Sequence, residues 1–538
     1  MTLVWTRGQK KQARSEAFRK TSGIRKQSEA HYRTEMLYGL YSPIQTCYIK
    51  SGNKIEISSR SDLANLFKRP AELPRQTSVH GKMKIPRSLN LFYLSVMAVL
   101  VAIVFSMSFT RIFDPDEFFF SHISWKMLRG EKLYIDFLVL HHPLINFLIE
   151  PVIAFLGEKA STLLVLRVGM FLIFLLIITV TYRIAEEAFN KETASISVIL
   201  LSSSVFFVTK VIEIRPDVPQ TLTGLLSVLY LQRFLVKKNR ATLAAGAFFL
   251  ALSFLFLQKT IFLMSIMTGF MVLMAAKKQI AFRDVLFFWA VFAASILPFC
   301  IYLVFTGALS NYILFNWKIH MNLLERVSAS AWLARSFKMN AFFWIFYAAG
   351  LIYAVRTKAY WLALFSVALL GSLFMVKTQT PQYMLMATPL MAIISAYSLN
   401  RIFSDKRLLG LLIACGIAYP SYLLATNTID NHRQLEKIDY IVSLTGPDEY
   451  VYDSNVIVNL FRKDLDFFWY TGTPQAGVLA TYQYMTGYRY DKYKLIDEKK
   501  PRVIISRYIE NMDDERIADH YVRSDVYRDL FVRARREK

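Results

Sequence analysis

The chain has 538 residues, of which 54% are hydrophobic and 15% aromatic, and its formal net charge is +24. A soluble protein hides its apolar residues in short periodic faces. Here they come in runs of about 16 to 24 residues, long enough to cross a bilayer core as helices. The three cysteines form no CxxC pair, which excludes a disulfide framework and a cysteine zinc site. No basic patch interleaved with aromatic residues is present, so nucleic acid is not an expected partner.

Residues 1–82 form a basic and poorly patterned N-terminal extension. Residues 1–87 hold 18 Lys/Arg against 6 Asp/Glu, and no apolar core follows the early charges, so a cleavable signal peptide is not expected. One interpretation is a disordered cytoplasmic tail that touches anionic lipid. The other, which we favour, is a gene model that begins upstream of the true start at Met83. We assign this region no function.

Residues 83–425 predict an all-α polytopic membrane domain with about eleven spans. Five short loops between these spans hold 14 Lys/Arg. The positive-inside rule places those loops and the N-terminus in the cytoplasm, so eleven crossings place the C-terminal tail outside. The predicted spans cover residues 89–110, 162–182, 193–212, 218–236, 241–257, 260–276, 285–306, 341–355, 359–376, 382–399 and 408–425.

Two long loops are predicted on the outside, at residues 111–161 and 307–340. In the first, residues 121–129 predict a short interfacial helix anchored by Trp125, and the apolar stretch 144–156 predicts an interfacial or re-entrant segment. The second mixes polar and apolar residues, as a mobile lid or substrate-contact loop does. Residues 426–538 predict a small extracytoplasmic α/β domain, with strands at residues 450–452 and 503–506.

The segment Phe113-Asp114-Pro115-Asp116-Glu117 directly follows the first span. Carboxylates at the mouth of a span are costly to place without a function. Cations are predicted on the same side of the membrane, at Arg215 and Lys259. A carboxylate there could take a proton from a hydroxyl or amine acceptor, and a cation could neutralise a departing lipid phosphate. Further candidates for substrate contact are Asp136, His142, Asp217, Lys318 and Lys377.

Several short motifs, taken in order, resemble the GT-C membrane glycosyltransferases. The nearest branch is the protein O-mannosyltransferase and aminoarabinose (lipid A) transferase group. Each motif is short, but their order and their placement against the spans make the match specific. The motifs are Asp116-Glu117, Met127-Leu128-Arg129-Gly130, Leu133-Tyr134-Ile135-Asp136-Phe137, His142-Pro143-Leu144, Leu166-Arg167, Arg215-Pro216-Asp217 and Lys259.

This resemblance implies an inverting enzyme that moves a sugar from a polyprenyl-phosphate donor to a lipid, glycan or protein acceptor at the extracytoplasmic face of the cell membrane. By resemblance, Asp116 would be the catalytic base, and its neighbour Glu117 would shape the site or hold a metal or the acceptor. Arg215 and Lys259 would face the donor phosphate. Metal use differs among GT-C enzymes, so no cofactor is assigned and a divalent metal stays open.

Alternative interpretations remain for the protein and for its single residues. A lipid-linked glycan flippase or transporter, or a glycan polymerase or ligase, would use the same class of lipid. One alternative is that Asp114 has no role beyond solvating the end of the first span. Another is that Arg215 has no role beyond pairing with Asp217. Lys259 could extend to the lipid headgroups, and His142 could be a turn residue before Pro143.

Overall fold

The computed structural model describes residues 87–324, 328–355, 357, 360–426, 430–453, 459–469, 477–506, 509 and 511–534. The predicted extension at residues 1–82 lies outside this part of the chain. The described residues form a mainly helical protein with a small sheet near the C-terminus. The helices are Arg87–Thr110, Pro115–Leu128, Leu144–Leu156, Ser161–Ala188, Lys191–Ser203, Val205–Val211, Asp217–Lys237, Arg240–Phe256, Ile261–Ala276, Phe282–Phe305, Leu309–Ile313, Ile319–Asn322, Ser330–Met339, Ala341–Val355, Tyr360–Ser372, Thr388–Ile402, Lys406–Thr426, His432–Leu444, Val478–Thr486, Lys492–Lys499 and Glu515–Ala518.

The apolar helices confirm that this is a membrane protein. Fewer than eleven of the described helices, however, are both long and apolar enough to span a bilayer. Within the described ranges, five helices are long and apolar enough to cross a bilayer, and counting each of two bent helix pairs as one span raises this number to seven. The predicted spans at 218–236, 241–257, 359–376 and 382–399 are helical but shorter or more polar. The last of these begins later than predicted, because residues Pro381–Met384 form a separate 3₁₀ turn before the helix Thr388–Ile402.

The predicted span at residues 193–212 bends sharply within its length. The helix Lys191–Ser203 continues as Val205–Val211 at an angle of 72°, and Ser204 between them has extended backbone. The freed backbone N–H of Val205 donates to Oδ1 of the buried Asn340, at 3.0 Å. A side chain from a distant segment therefore compensates the break.

The first outside loop contains a longer helix than predicted, and this helix begins inside the acidic motif. Asp114 is its N-cap and accepts from the Asp116 N–H at 3.1 Å, while Glu117 Oε1 accepts from the Asp114 N–H at 2.9 Å. Pro115 occupies the first turn, where its missing N–H costs nothing. Asp114 is thus a helix cap rather than a solvated span end. The predicted interfacial role of Trp125 is wrong, because its side chain is buried and donates to Glu158 Oε1 at 2.8 Å.

The C-terminal part contains the predicted small α/β fold. Strands β1 (Val451–Tyr452), β2 (Val503–Ile505), β3 (Tyr521–Arg523) and β4 (Leu530–Arg533) form one sheet in the order β1-β2-β4-β3. The first two confirm the strands expected from the sequence, and β1 pairs parallel to β2. The domain boundary at 425/426 stays a prediction.

One segment of this C-terminal part packs directly on the first loop. The Leu138 N–H donates to the Phe467 carbonyl at 3.1 Å, and the Trp469 indole donates to the Leu138 carbonyl at 3.0 Å. Asp464 accepts from Lys126 Nζ at 2.8 Å and lies 2.8 Å from His122 Nε2. The C-terminal segment therefore braces the helix that carries Asp116.

The orientation in the membrane is a prediction that reporter fusions can check. Fusions after Lys238 and after Tyr450 are expected to report opposite sides, because the basic loops favour a cytoplasmic N-terminus. A reporter that gains activity only in the periplasm, paired with one active only in the cytoplasm, provides the measurement. A cytoplasmic signal at both positions would contradict the predicted number of spans.

Candidate active site

Residues from seven separate segments line a cavity of about 200 Å³ beside the acidic motif. It brings together Asp116 from the first loop with Arg215, Asp217 and Lys259 from the ends of predicted spans. The complete lining is Asp116, Phe119, Phe120, Leu140, His141, Arg215, Asp217, Lys259, His320, Leu323, Thr378, Thr380, Gln382, Tyr383 and Val478.

Arg215 is buried and holds three carboxylates with its guanidinium. Nη1 contacts Glu213 Oε2 at 2.5 Å, Nε contacts Asp217 Oδ2 at 3.2 Å, and Nη2 forms a short ion pair with Asp116 Oδ2. These carboxylates raise the pKa of Arg215, so it stays charged. The predicted pairing with Asp217 is therefore present. Each of the three guanidinium nitrogens contacts a carboxylate, which favours a positioning role for Arg215 over the predicted contact with the donor phosphate.

Asp116 reaches the cavity from the first turn of its helix, and 37% of its side chain is exposed there. Loss of hydration among the surrounding protein groups raises the pKa of the Asp116 carboxyl, while Arg215 opposes that rise. A carboxylate with a raised pKa is a better proton acceptor near neutral pH. Asp116 therefore has the accessibility and the basicity that a general base requires.

Glu117, the next residue, serves a different purpose. Its carboxylate is buried and pairs with Arg167, whose Nη2 contacts Oε1 at 2.6 Å and whose Nε contacts Oε2 at 2.8 Å. It also accepts from the backbone N–H groups of Asp114 and Ile214. Glu117 is absent from the cavity lining. The expectation of a catalytic Glu117 is therefore corrected to a positioning role that fixes the first loop against the next helix.

Lys259 lies on a 3₁₀ turn, Gln258–Thr260, at the wall of the cavity. Its ammonium lies 3.2 Å from the centroid of the Tyr383 ring, a close cation–π contact. The Thr260 hydroxyl anchors the turn, because it donates to the Ser253 carbonyl at 2.8 Å. Lys259 is thus held against Tyr383 at the wall of the cavity that Asp116 also lines, where its ammonium can contact a ligand.

The adjacent histidines of the first loop, His141 and His142, lie in different surroundings. His142 is buried outside the cavity, with Nε2 2.7 Å from the Tyr312 hydroxyl and Nδ1 close to the Phe254 carbonyl. His141 lines the cavity instead and stacks on His320 with ring centroids 6.0 Å apart. The structure therefore places His141, and not the predicted His142, at the cavity.

Three other candidates lie outside the cavity. Asp136 is exposed, and its Oδ2 accepts from the Lys132 backbone N–H at 2.6 Å, which closes a local turn. Lys318 is exposed on the second loop. Lys377 donates to the Leu323 carbonyl at 3.0 Å and so supports the cavity wall. The structure does not bring the side chains of these candidates to Asp116.

Two desolvated histidines, the buried His142 and the partly buried His320, predict acid sensitivity of the fold. Burial lowers the pKa of His142 and of His320 to about 4 in each case. The unfolded chain binds protons at these positions below about 6.5, whereas the folded chain does not until about pH 4. Stability is therefore present above pH 6.5 and is lost as the pH falls towards 4, by on the order of 3 kcal/mol per histidine.

We expect His320→Gln to flatten the dependence of the melting temperature on pH between 6.5 and 4.5, because glutamine can still donate to Leu140 but does not titrate. His320 Nε2 lies 3.1 Å from that carbonyl. His432→Gln, at an exposed position, is the control and should leave the slope unchanged. Thermal unfolding in detergent at several pH values gives the measurement, and equal slopes in all three proteins would contradict the assignment.

The structure identifies cavity residues that the sequence did not. Tyr383 and Gln382 were assigned to a span, because an apolar stretch follows them. His141 and His320 lie in the two predicted outside loops, 111–161 and 307–340, without being singled out there. No local pattern marks any of these four, apart from the polar run Lys377-Thr378-Gln379-Thr380 that precedes Pro381. Among the described residues, no group of three or more His, Cys, Asp or Glu side chains could hold a metal ion.

Comparisons with known proteins agree with this architecture. The family model described as dolichyl-phosphate-mannose-protein mannosyltransferase matches residues 141–305. ArnT from Cupriavidus metallidurans bound to undecaprenyl phosphate is similar in structure, with a TM-score of 0.58 and 12% identity over 74% of this chain and 91% of that chain. The same protein in the apo state has a TM-score of 0.59 and 12% identity over 78% of this chain and 93% of that chain.

The oligosaccharyltransferase from Archaeoglobus fulgidus in the apo form gives a TM-score of 0.48 and 14% identity over 77% of this chain and 69% of that chain. No curated protein sequence matches the chain. The similarity to ArnT shows a shared fold. With the family match, it confirms the resemblance to GT-C membrane glycosyltransferases that the sequence motifs indicated.

Proposed function

We propose that this protein, whose fold is that of the GT-C membrane enzymes, is a glycosyltransferase that uses a polyprenyl-phosphate sugar as donor. The observation that carries the proposal is one cavity in which the carboxylate of Asp116 and the ammonium of Lys259 are both available. A proton acceptor and a phosphate-binding cation are the two groups that such a transfer needs. The ArnT structure bound to undecaprenyl phosphate supports the choice of carrier.

The transfer takes place in one displacement at the anomeric carbon of the sugar. A hydroxyl or amine of a lipid, glycan or protein acceptor attacks C1 while Asp116 takes its proton. The bond between C1 and the phosphate oxygen breaks on the opposite face, so the configuration at C1 inverts. The electron pair leaves with the polyprenyl phosphate, whose added negative charge Lys259 stabilises.

Arg215 acts through Asp116 in this scheme. Its guanidinium keeps the carboxylate turned into the cavity, and Asp217 and Glu213 hold the guanidinium from the other sides. A fixed orientation matters because the base must lie within about 3 Å of the proton that it takes. Arg215 is therefore assigned as a positioning residue, and Lys259 as the contact to the phosphate.

The bilayer contributes to the reaction by holding the donor. A polyprenyl chain lies among the lipid tails and presents its phosphate at headgroup level, where the predicted ends of the spans place Lys259. The positive-inside pattern supports an active site on the extracytoplasmic face of the cell membrane. Diffusion of the donor is then restricted to two dimensions, and the acceptor approaches from the outside.

Purified protein in lipid nanodiscs, incubated with a panel of radiolabelled polyprenyl-phosphate sugars and candidate acceptors, tests this function. One donor is expected to lose its label to a product while free polyprenyl phosphate accumulates in equal amount. Asp116→Asn protein serves as the inactive control. Labelled donor that crosses the bilayer of proteoliposomes with its sugar still attached would instead identify a flippase or transporter.

A further inference from the structure

We propose that the C-terminal part of the chain carries a second ligand site, a cationic cleft that binds a phosphate group. The cleft has a volume of about 530 Å³ and shares no lining residue with the active-site cavity. The phosphate could belong to a lipid headgroup or to a soluble phosphorylated molecule. The cations that line it are Lys499, Lys500, Arg502 and Arg533, with Asp448, Glu449 and Tyr450 beside them.

Sheet topology gathers these cations at one end of the sheet. Tyr450 directly precedes β1, Arg502 directly precedes β2, and Arg533 is the last residue of β4. Because β1 runs parallel to β2 and β4 runs antiparallel to it, these three positions meet at the same end. The Arg502 N–H donates to the Tyr450 carbonyl at 2.7 Å, and the Arg533 N–H donates to the Arg502 carbonyl at 3.0 Å. The backbone thus holds both arginines in place.

The charge of the cleft is not balanced by its own carboxylates. Asp448 pairs with Lys463 at 2.8 Å and with Arg129 at 3.1 Å, and neither of these cations lines the cleft. Glu449 Oε2 accepts from the Gly446 N–H at 2.7 Å. Within the described part of the chain, the four lining cations form no ion pair with a carboxylate. An anionic ligand would supply the missing negative charge.

Arg502 adds an observation that points to a ligand. Its Nη1 donates to the Arg533 carbonyl, whereas its buried Nε has no hydrogen-bond partner among the described residues. A buried donor of a charged group without an acceptor is costly. A phosphate offers several oxygens to the planar guanidinium fork, and lysines bind it as point charges. The arrangement of two arginines and two lysines around one cleft therefore matches a phosphate better than a neutral ligand.

The test uses the full chain in nanodiscs of zwitterionic phosphatidylcholine, titrated with pyrophosphate in a calorimeter. The cleft variant is Lys499→Gln with Lys500→Asn, because Lys500 has a φ of +51° and asparagine tolerates this backbone. The control, Arg523→Gln with Arg528→Gln, removes the same charge from elsewhere in this part of the chain. All proteins also carry Lys259→Met, which suppresses binding in the active-site cavity and separates this proposal from the proposed function.

We expect saturable binding that weakens by about tenfold or more in the cleft variant and stays unchanged in the control. Absence of saturable binding, or equal weakening in both variants, would overturn the proposal. A second titration in nanodiscs that contain phosphatidylglycerol distinguishes the two sources. Competition that lowers the affinity of the protein for pyrophosphate identifies a lipid headgroup, and unchanged affinity identifies a soluble phosphorylated molecule.

Discussion

Asp116→Asn is expected to lower sugar transfer by about 10²-fold or more while leaving folding and donor binding intact. Asparagine keeps the size of the side chain and can still accept a hydrogen bond from Arg215, but it cannot take the proton of the acceptor. Because the loss concerns the chemical step, turnover should fall and the Michaelis constant for the donor should change little. Initial rates of transfer from the labelled lipid donor, at matched amounts of protein in nanodiscs, give the measurement.

Asp114→Asn is the matched control, since it changes a carboxylate two residues away. Asparagine caps helices as well as aspartate does, so the helix Pro115–Leu128 should keep its N-terminus. The variant loses the ion pair of Asp114 with Lys210, which is 3.0 Å long and partly exposed, and only a modest loss of activity should follow. An inactive Asp114→Asn with an active Asp116→Asn would show that the family motif is displaced by two residues. Full activity in both would remove the first loop from catalysis.

Lys259→Met is expected to lower turnover by about 10²–10³-fold, the usual effect of removing one group that stabilises developing charge on an oxyanion. Methionine retains a long unbranched side chain that can still pack on the Tyr383 ring, so expression and folding should be preserved. The effect should appear with the polyprenyl-phosphate donor at saturating concentration, because the cation acts on the leaving phosphate. Single-turnover rates with labelled donor measure it directly.

Two further variants test whether the charge of Lys259 is responsible. Lys259→Arg keeps a positive charge at the same position and should recover part of the rate. Lys338→Met removes an exposed lysine from the predicted second loop and should leave the rate unchanged. Normal kinetics in Lys259→Met would instead favour the interpretation that this lysine only extends towards lipid headgroups.

The sequence by itself predicted the class of protein and a candidate position for the site. Long apolar runs, basic loops and the order of the short motifs are local features, and they predicted a membrane protein of GT-C type whose first loop contributes Asp116. The strands β1 and β2 were also predicted, because each lies in a short strand-like run of residues. These features can be recognised without the tertiary contacts, because they depend only on composition and spacing along the chain.

Only the tertiary structure decided which member of each neighbouring pair lines the cavity. Successive residues of a helix point about 100° apart, and here Asp116 lines the cavity while Glu117 faces Arg167. Arg167 pairs with Glu117 and Arg215 pairs with Asp116, and both arginines are distant in sequence. Tertiary contacts likewise place His141, and not His142, in the cavity lining. They also bring Tyr383 into contact with Lys259. Contacts between segments fix these choices, and no local pattern in the chain encodes them.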